Sequence, residues 1–133
     1  MLVTMNREIT PASVAPPAAN YALAVQSDGA QRWLHVSGIV GVRPDGSIPA
    51  DLSEQVAVVW SSLVAILAEA QMTTGDVVSI TTYVVSQHLQ SLPVVMAARD
   101  RALAGQRVAS TLVTVPALAR PEWKVEIALI AAQ

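Results

Sequence analysis

The chain has 133 residues, 53% of them hydrophobic and 14% charged, with a formal net charge of −2. That balance excludes a disordered chain, and eight basic residues against ten acidic ones, with Lys124 the sole lysine, argue against a nucleic-acid partner. The absence of cysteine removes disulfide scaffolds, thiol catalysis and iron–sulfur clusters.

A single domain spanning 1–133 is expected from this length. Residues 1–16 read as an irregular lead-in, because Pro11 and Pro16 fix φ and remove donors. Tyr21 to Gln26 reads as a strand and Arg32 to Ser37 as a second, with Arg32, Leu34 and Val36 on one face and Trp33, His35 and Ser37 on the other. The Ser27-Asp28-Gly29 turn between them predicts a hairpin. Helix one follows, with Asp51 as its cap and Glu54 at capping-box spacing. Leu52, Val56, Val59, Leu63, Ile66, Leu67 and Ala70 form its apolar stripe.

Val77 to Val85 is β-branched and predicts a strand with Val78, Ile80, Thr82 and Val84 on one side. His88 to Ala104 predicts helix two, with Pro93 in its first turn and Gly105 at its end. Arg99 and Arg101 on that helix are expected at the surface. Ser110 to Val115 and Trp123 to Ala131 complete the order ββαβαββ. The uncharged stretch within helix one, Val56 to Ala68, is shorter than the ~20 residues of a spanning helix. Asn6, Arg7 and Glu8 stand where a signal peptide would have its apolar core. A cytoplasmic protein without membrane contact is the expectation. Its charge content is well below the roughly 25% usual for soluble domains, which implies apolar surface buried between subunits.

The motif search is mostly negative. Two histidines, His35 and His88, lie far apart and form no ligand cluster, so no metal and no cofactor is expected. No phosphate loop and no Gly-X-Ser-X-Gly elbow occurs. Glu126 is the informative acid, set within the apolar run Val125–Ile130. A carboxylate there needs a reason. It is either a general acid/base tuned by burial or the partner of an arginine across a subunit interface, and the sequence weighs the two equally.

Pro17-Ala18-Ala19-Asn20-Tyr21, Leu34-His35-Val36-Ser37-Gly38, Leu63–Ala70, Asp76–Val84, Ala109–Val113 and Val125-Glu126-Ile127 occur in an order that resembles the RidA/YjgF family. These proteins are reactive imine and enamine deaminases, also called endoribonuclease L-PSP. The resemblance covers nearly the whole chain. It implies a chorismate-mutase-like α+β fold: a mixed sheet with two helices on one face, assembled as a homotrimer. It also implies a small-metabolite site in each inter-subunit cleft. Glu126 would activate water, while Tyr21, Ser37, Gly38, Ser110 and Thr111 would line the ligand site. The family's carboxylate-binding arginine falls on Ser110, and an asparagine common in helix two falls near Pro93. The chain therefore resembles the arginine-lacking branch. Losing a buried charged partner costs about 2–5 kcal/mol, which would weaken deamination of 2-imino acids by about two to three decades. Arg107 is a substitute cation if it lies in the loop before the strand. Two functions follow: a trimeric hydrolase of imine- or enamine-type metabolites, or a non-catalytic trimer that binds or senses a small metabolite. Nucleic-acid processing, suggested by the older family label, is opposed by the charge.

Overall fold

The computed structural model describes residues 5–133. Its strands are β1 (Asn6–Ile9), β2 (Ala24–Ser27), β3 (Trp33–Val40), β4 (Val77–Val85), β5 (Ala109–Val115) and β6 (Val125–Ala132). Its helices are α1 (Leu52–Glu69) and α2 (Leu92–Ala102), and short 3-10 turns cover Thr74–Asp76 and Ser86–Ser91. The principal sheet has four strands in the order β3-β6-β4-β5. β6 pairs antiparallel with β3 and with β4, and β5 runs parallel to β4. This is the mixed α+β fold with two helices that the resemblance implied.

The pleat decides the core. In β6, Val125, Ile127, Leu129 and Ala131 are buried, and they join Val36 of β3 and Ile80 and Val84 of β4 under the helices. The alternating residues Glu126, Ala128 and Ile130 share the opposite face with Ser79, Thr81 and Tyr83. No helix among the described residues covers that face. Trp33 (52% exposed) and Val113 (39%) stand on it as large apolar groups open to solvent.

α1 is long and apolar enough, by length and composition, to cross a membrane. Its stripe of Leu52, Val56, Val59, Leu63 and Leu67 is instead buried against the sheet, so it serves as the core helix. Trp60, at the edge of the expected stripe, is also buried. So is Gln55, which sequence reading passed over. Its side-chain amide donates to Pro49 O (2.8 Å) and Glu122 O (2.9 Å), and its oxygen accepts from Lys124 N (3.0 Å). One side chain thus ties the loop before α1 to the loop before β6. α1 can approach the end of β3 because residue 41 is glycine. A Cβ there would lie 2.7 Å from Gln55 Cβ and 2.8 Å from Gln55 Cα.

Four expectations need correction. The lead-in is not irregular throughout, because β1 pairs antiparallel with β2 from Asn6 to Ile9. β2 and β3 do not form the hairpin. β2 pairs with β1, while β3 pairs with β6. The apolar inner face of β3 requires an apolar partner, and β6 supplies one; β2 exposes Ala24 and Gln26 and suits a two-stranded ribbon. Asp51 stands at the N-cap of α1 but makes no side-chain cap bond. The Ser53 hydroxyl donates to its carboxylate instead, and Glu54 turns 3.8 Å from Arg43. Finally, helix two is two elements: the 3-10 turn precedes Leu92, and Pro93 stands in the first turn of α2. α2 ends with positive φ at Ala104 and at Gly105.

Candidate functional site

The sequence-predicted residues fall into two groups, one around Glu126 on the helix-free face and one along the edge strand β5, where Ser110 faces the helices and Thr111, paired with Thr81, faces the other way. On the helix-free face, Glu126 is half-buried and lies opposite Tyr83 of β4 and Val40 of β3. It forms no ion pair among the described residues. Its carboxylate runs over Gly38. The β3–β6 register slips between Val36 and Ile39, and Ser37 and Gly38 fill that bulge. A Cβ on residue 38 would lie 2.6 Å from Glu126 Cδ and 2.8 Å from Cγ. The glycine therefore makes the space in which the carboxylate lies. Ser37 is exposed beside it. The Ser-Gly pair and the glutamate, far apart in sequence, form one constellation.

The second group lies on the edge strand β5. Ala22 N donates to Val108 O at 2.8 Å, and Ala22 bridges Ala109 in parallel. This docks Tyr21 beside Ser110. The Tyr21 hydroxyl accepts from Ala18 N at 3.4 Å. A cavity of about 360 Å³ opens here, lined by Tyr21, Ser110, Thr111, Leu112, Met96 and Arg99 among others.

Arg107 does precede β5 in the chain, but its guanidinium is engaged elsewhere. It donates to Tyr21 O (2.9 Å) and pairs with Glu8 of β1 at 3.0 Å. It lines a separate depression with Asn6, Gly75 and Gln106. The pairing fastens the β1–β2 ribbon to the main sheet.

Arg99 corrects the surface expectation. It is only 6% exposed. Its Nη1 donates to Ser110 Oγ at 3.3 Å and its Nε to Asp100 Oδ1 at 3.1 Å. A usable signal was present: Leu92, Val95, Met96, Arg99 and Leu103 share helical spacing, so the arginine occupies a position within an apolar stripe. No cluster of three metal-ligating side chains forms among the described residues.

Ser110 faces the helix side, as its contact with α2 requires, and Glu126 faces away. The Tyr21–Ser110 cavity and the Gly38–Glu126 constellation are therefore not joined within one protomer.

The family model described as Endoribonuclease L-PSP matches residues 12–133. No curated protein matches the chain. Among solved structures, YyfB from Yersinia pestis, a protein of unknown function of the conserved Rid family, is 30% identical. The alignment covers 98% of this chain and 100% of that one, with a TM-score of 0.88. Rv2704 from Mycobacterium tuberculosis, of the YjgF/YER057c/UK114 family, is 25% identical over 87% of this chain and 89% of its own, with a TM-score of 0.67. TdcF from E. coli with bound serine shares the fold, with 22% identity, coverage of 96% and 98%, and a TM-score of 0.69.

Proposed function

The chain belongs to the endoribonuclease L-PSP family, the Rid/YjgF/UK114 group, and on that premise we propose that it is a homotrimeric hydrolase of small imine- or enamine-type metabolites. The carrying observation is the Glu126 carboxylate, laid over Gly38 on an uncovered sheet face and without an ion-pair partner among the described residues. In the reading offered, that face meets a neighbouring copy. Trp33 and Val113 are then covered, and Glu126 of one subunit approaches the Tyr21–Ser110 cavity of the next.

The chemistry is simple to balance. Glu126 takes a proton from water as the oxygen attacks the carbon of the C=N bond. The carboxyl group passes that proton to the nitrogen, giving a carbinolamine; as the carbinolamine collapses to a C=O group, Glu126 carries its hydroxyl proton to the nitrogen, which leaves as ammonia. One imine and one water give one carbonyl compound and one ammonia. Tyr21 and Ser110 shape the pocket that orients the substrate.

The test is ammonia release from enzymatically generated 2-iminobutanoate and from an imine without a carboxylate, with wild type beside Glu126→Gln. Wild-type acceleration that Glu126→Gln reduces about 10²–10⁴-fold, with unchanged melting, is expected. No acceleration of either substrate refutes hydrolysis. The second reading, a binding or sensing trimer, is favoured by Ser110, the residue on which the resemblance puts the family's arginine. It predicts no turnover but a thermal shift with a small metabolite. Absence of nucleic-acid and membrane partners and a cytoplasmic location belong to the same proposal.

A further inference from the structure

The cavity beside Tyr21 contains a cation that its own strand does not provide. Arg99 reaches it from α2, with a side chain only 7% exposed. Guanidinium carries five N–H donors and stays protonated at any working pH. Two donor atoms are used here: Nε on Asp100 Oδ1 and Nη1 on Ser110 Oγ. Nη2 lies 3.1 Å from Asp100 Oδ1 without hydrogen-bond alignment, is buried, and has no hydrogen-bond partner among the described residues. Asp100 is itself 38% exposed, so its charge is shared with water. Asp100 balances the charge, but the Nη2 donors are left for an acceptor.

The surroundings define that acceptor. Ser110 Oγ accepts from Arg99 and keeps its own proton free to donate. The Nη1/Nη2 edge of a guanidinium matches two oxygens of a planar carboxylate. Tyr21, Met96 and Leu112 wall the remainder, and the volume of about 360 Å³ suits a small organic acid rather than a polymer. We propose that Arg99, together with Ser110, holds the carboxylate of a small organic acid in this cavity. The anion site has thereby moved from the strand to the helix, and it has not been lost. This assignment rests on the small-molecule reading above and specifies its substrate class: imines that carry a carboxylate.

Calorimetric titration with 2-oxobutanoate, and with its uncharged methyl ester as control, reads the contact without any turnover. Wild type is expected to prefer the acid, and Arg99→Met to bind it about 30-fold more weakly or worse. Methionine fills the buried space without charge, and a melting curve verifies folding. If that variant does not fold, Ser110→Ala reads the same contact through a loss of about fivefold. Equal acid affinity in wild type and variant overturns the assignment, as does ester binding equal to acid binding, or no acid binding at millimolar concentration. The two proposals fail separately. Arg99-dependent acid binding without ammonia release refutes hydrolysis alone. Ammonia release from 2-iminobutanoate that Arg99→Met leaves intact refutes the anion site alone.

Discussion

Gly38→Ala separates stability from catalysis. The new methyl would lie 2.6 Å from Glu126 Cδ and 2.8 Å from Cγ, so the glutamate side chain must leave its present path. The three nearest atoms all belong to that one flexible side chain. The displaced rotamer costs about 0.5–1.5 kcal/mol. Against this, Gly→Ala removes about 0.4–1 kcal/mol of unfolded-state entropy. The net change is within about 1 kcal/mol. For a chain of this length that is a shift of about 4 °C or less, taken at fixed protomer concentration. Catalysis responds differently, because a carboxylate moved by about 1 Å or more loses on the order of 10²-fold in rate. The assay pairs thermal melting with ammonia release for wild type, Gly38→Ala, Glu126→Gln and the double variant. The double variant should be no slower than Glu126→Gln alone. Turnover of Gly38→Ala within threefold of wild type refutes the reasoning. A further rate loss in the Glu126→Gln background refutes it too, because the glycine would then act on something other than the carboxylate.

Three other outcomes are expected. Gln55→Leu strands two carbonyls and one N–H, and should cost about 3 kcal/mol, or about 10 °C in melting temperature. A shift below 3 °C would mean that water replaces the amide. Val113→Lys charges the uncovered sheet face; light scattering should fall from three protomers of 14.0 kDa, about 42 kDa, toward one. A wild-type mass near 14 kDa would remove the trimer argument altogether. Asp45 accepts from the Ser47 hydroxyl and Ser47 N, with Arg43 adding a smaller attraction, and its carboxyl titrates below the usual aspartate value. A depressed folded-state value adds stability above the unfolded aspartate range and loses it as pH falls through the folded value. An NMR titration midpoint for Asp45 at or above that of an unstructured peptide would contradict this.

Much of the fold was legible because β3, β4 and β6 each bury one face. Period-two alternation then fixes which residues point inward, as Ile80, Thr82 and Val84 do. Pairing was less legible. The Ser27–Gly29 turn signals a reversal but cannot say which strand lies alongside, and β1 carries Asn6, Arg7 and Glu8 in place of an apolar alternation. The site was half legible. Glu126 stands out as a charge in an apolar strand, and Ser37-Gly38 as a motif, yet their contact depends on a bulge that no local pattern announces. Arg99 was hidden by type, because arginine defaults to the surface, and only its apolar helical neighbours argue otherwise.

The division of the site residues between two faces of the sheet has a genetic consequence. If each working site takes Arg99 from one subunit and Glu126 from the next, two inactive chains can rescue one another. In a mixed trimer of Arg99→Met and Glu126→Gln chains, one interface of the ring brings two intact residues together, whichever defect is in the majority. Random equal mixing leaves three-quarters of trimers mixed, so about a quarter of the normal sites return. Two alleles of this single gene, each silent alone, would then complement as though they lay in different genes.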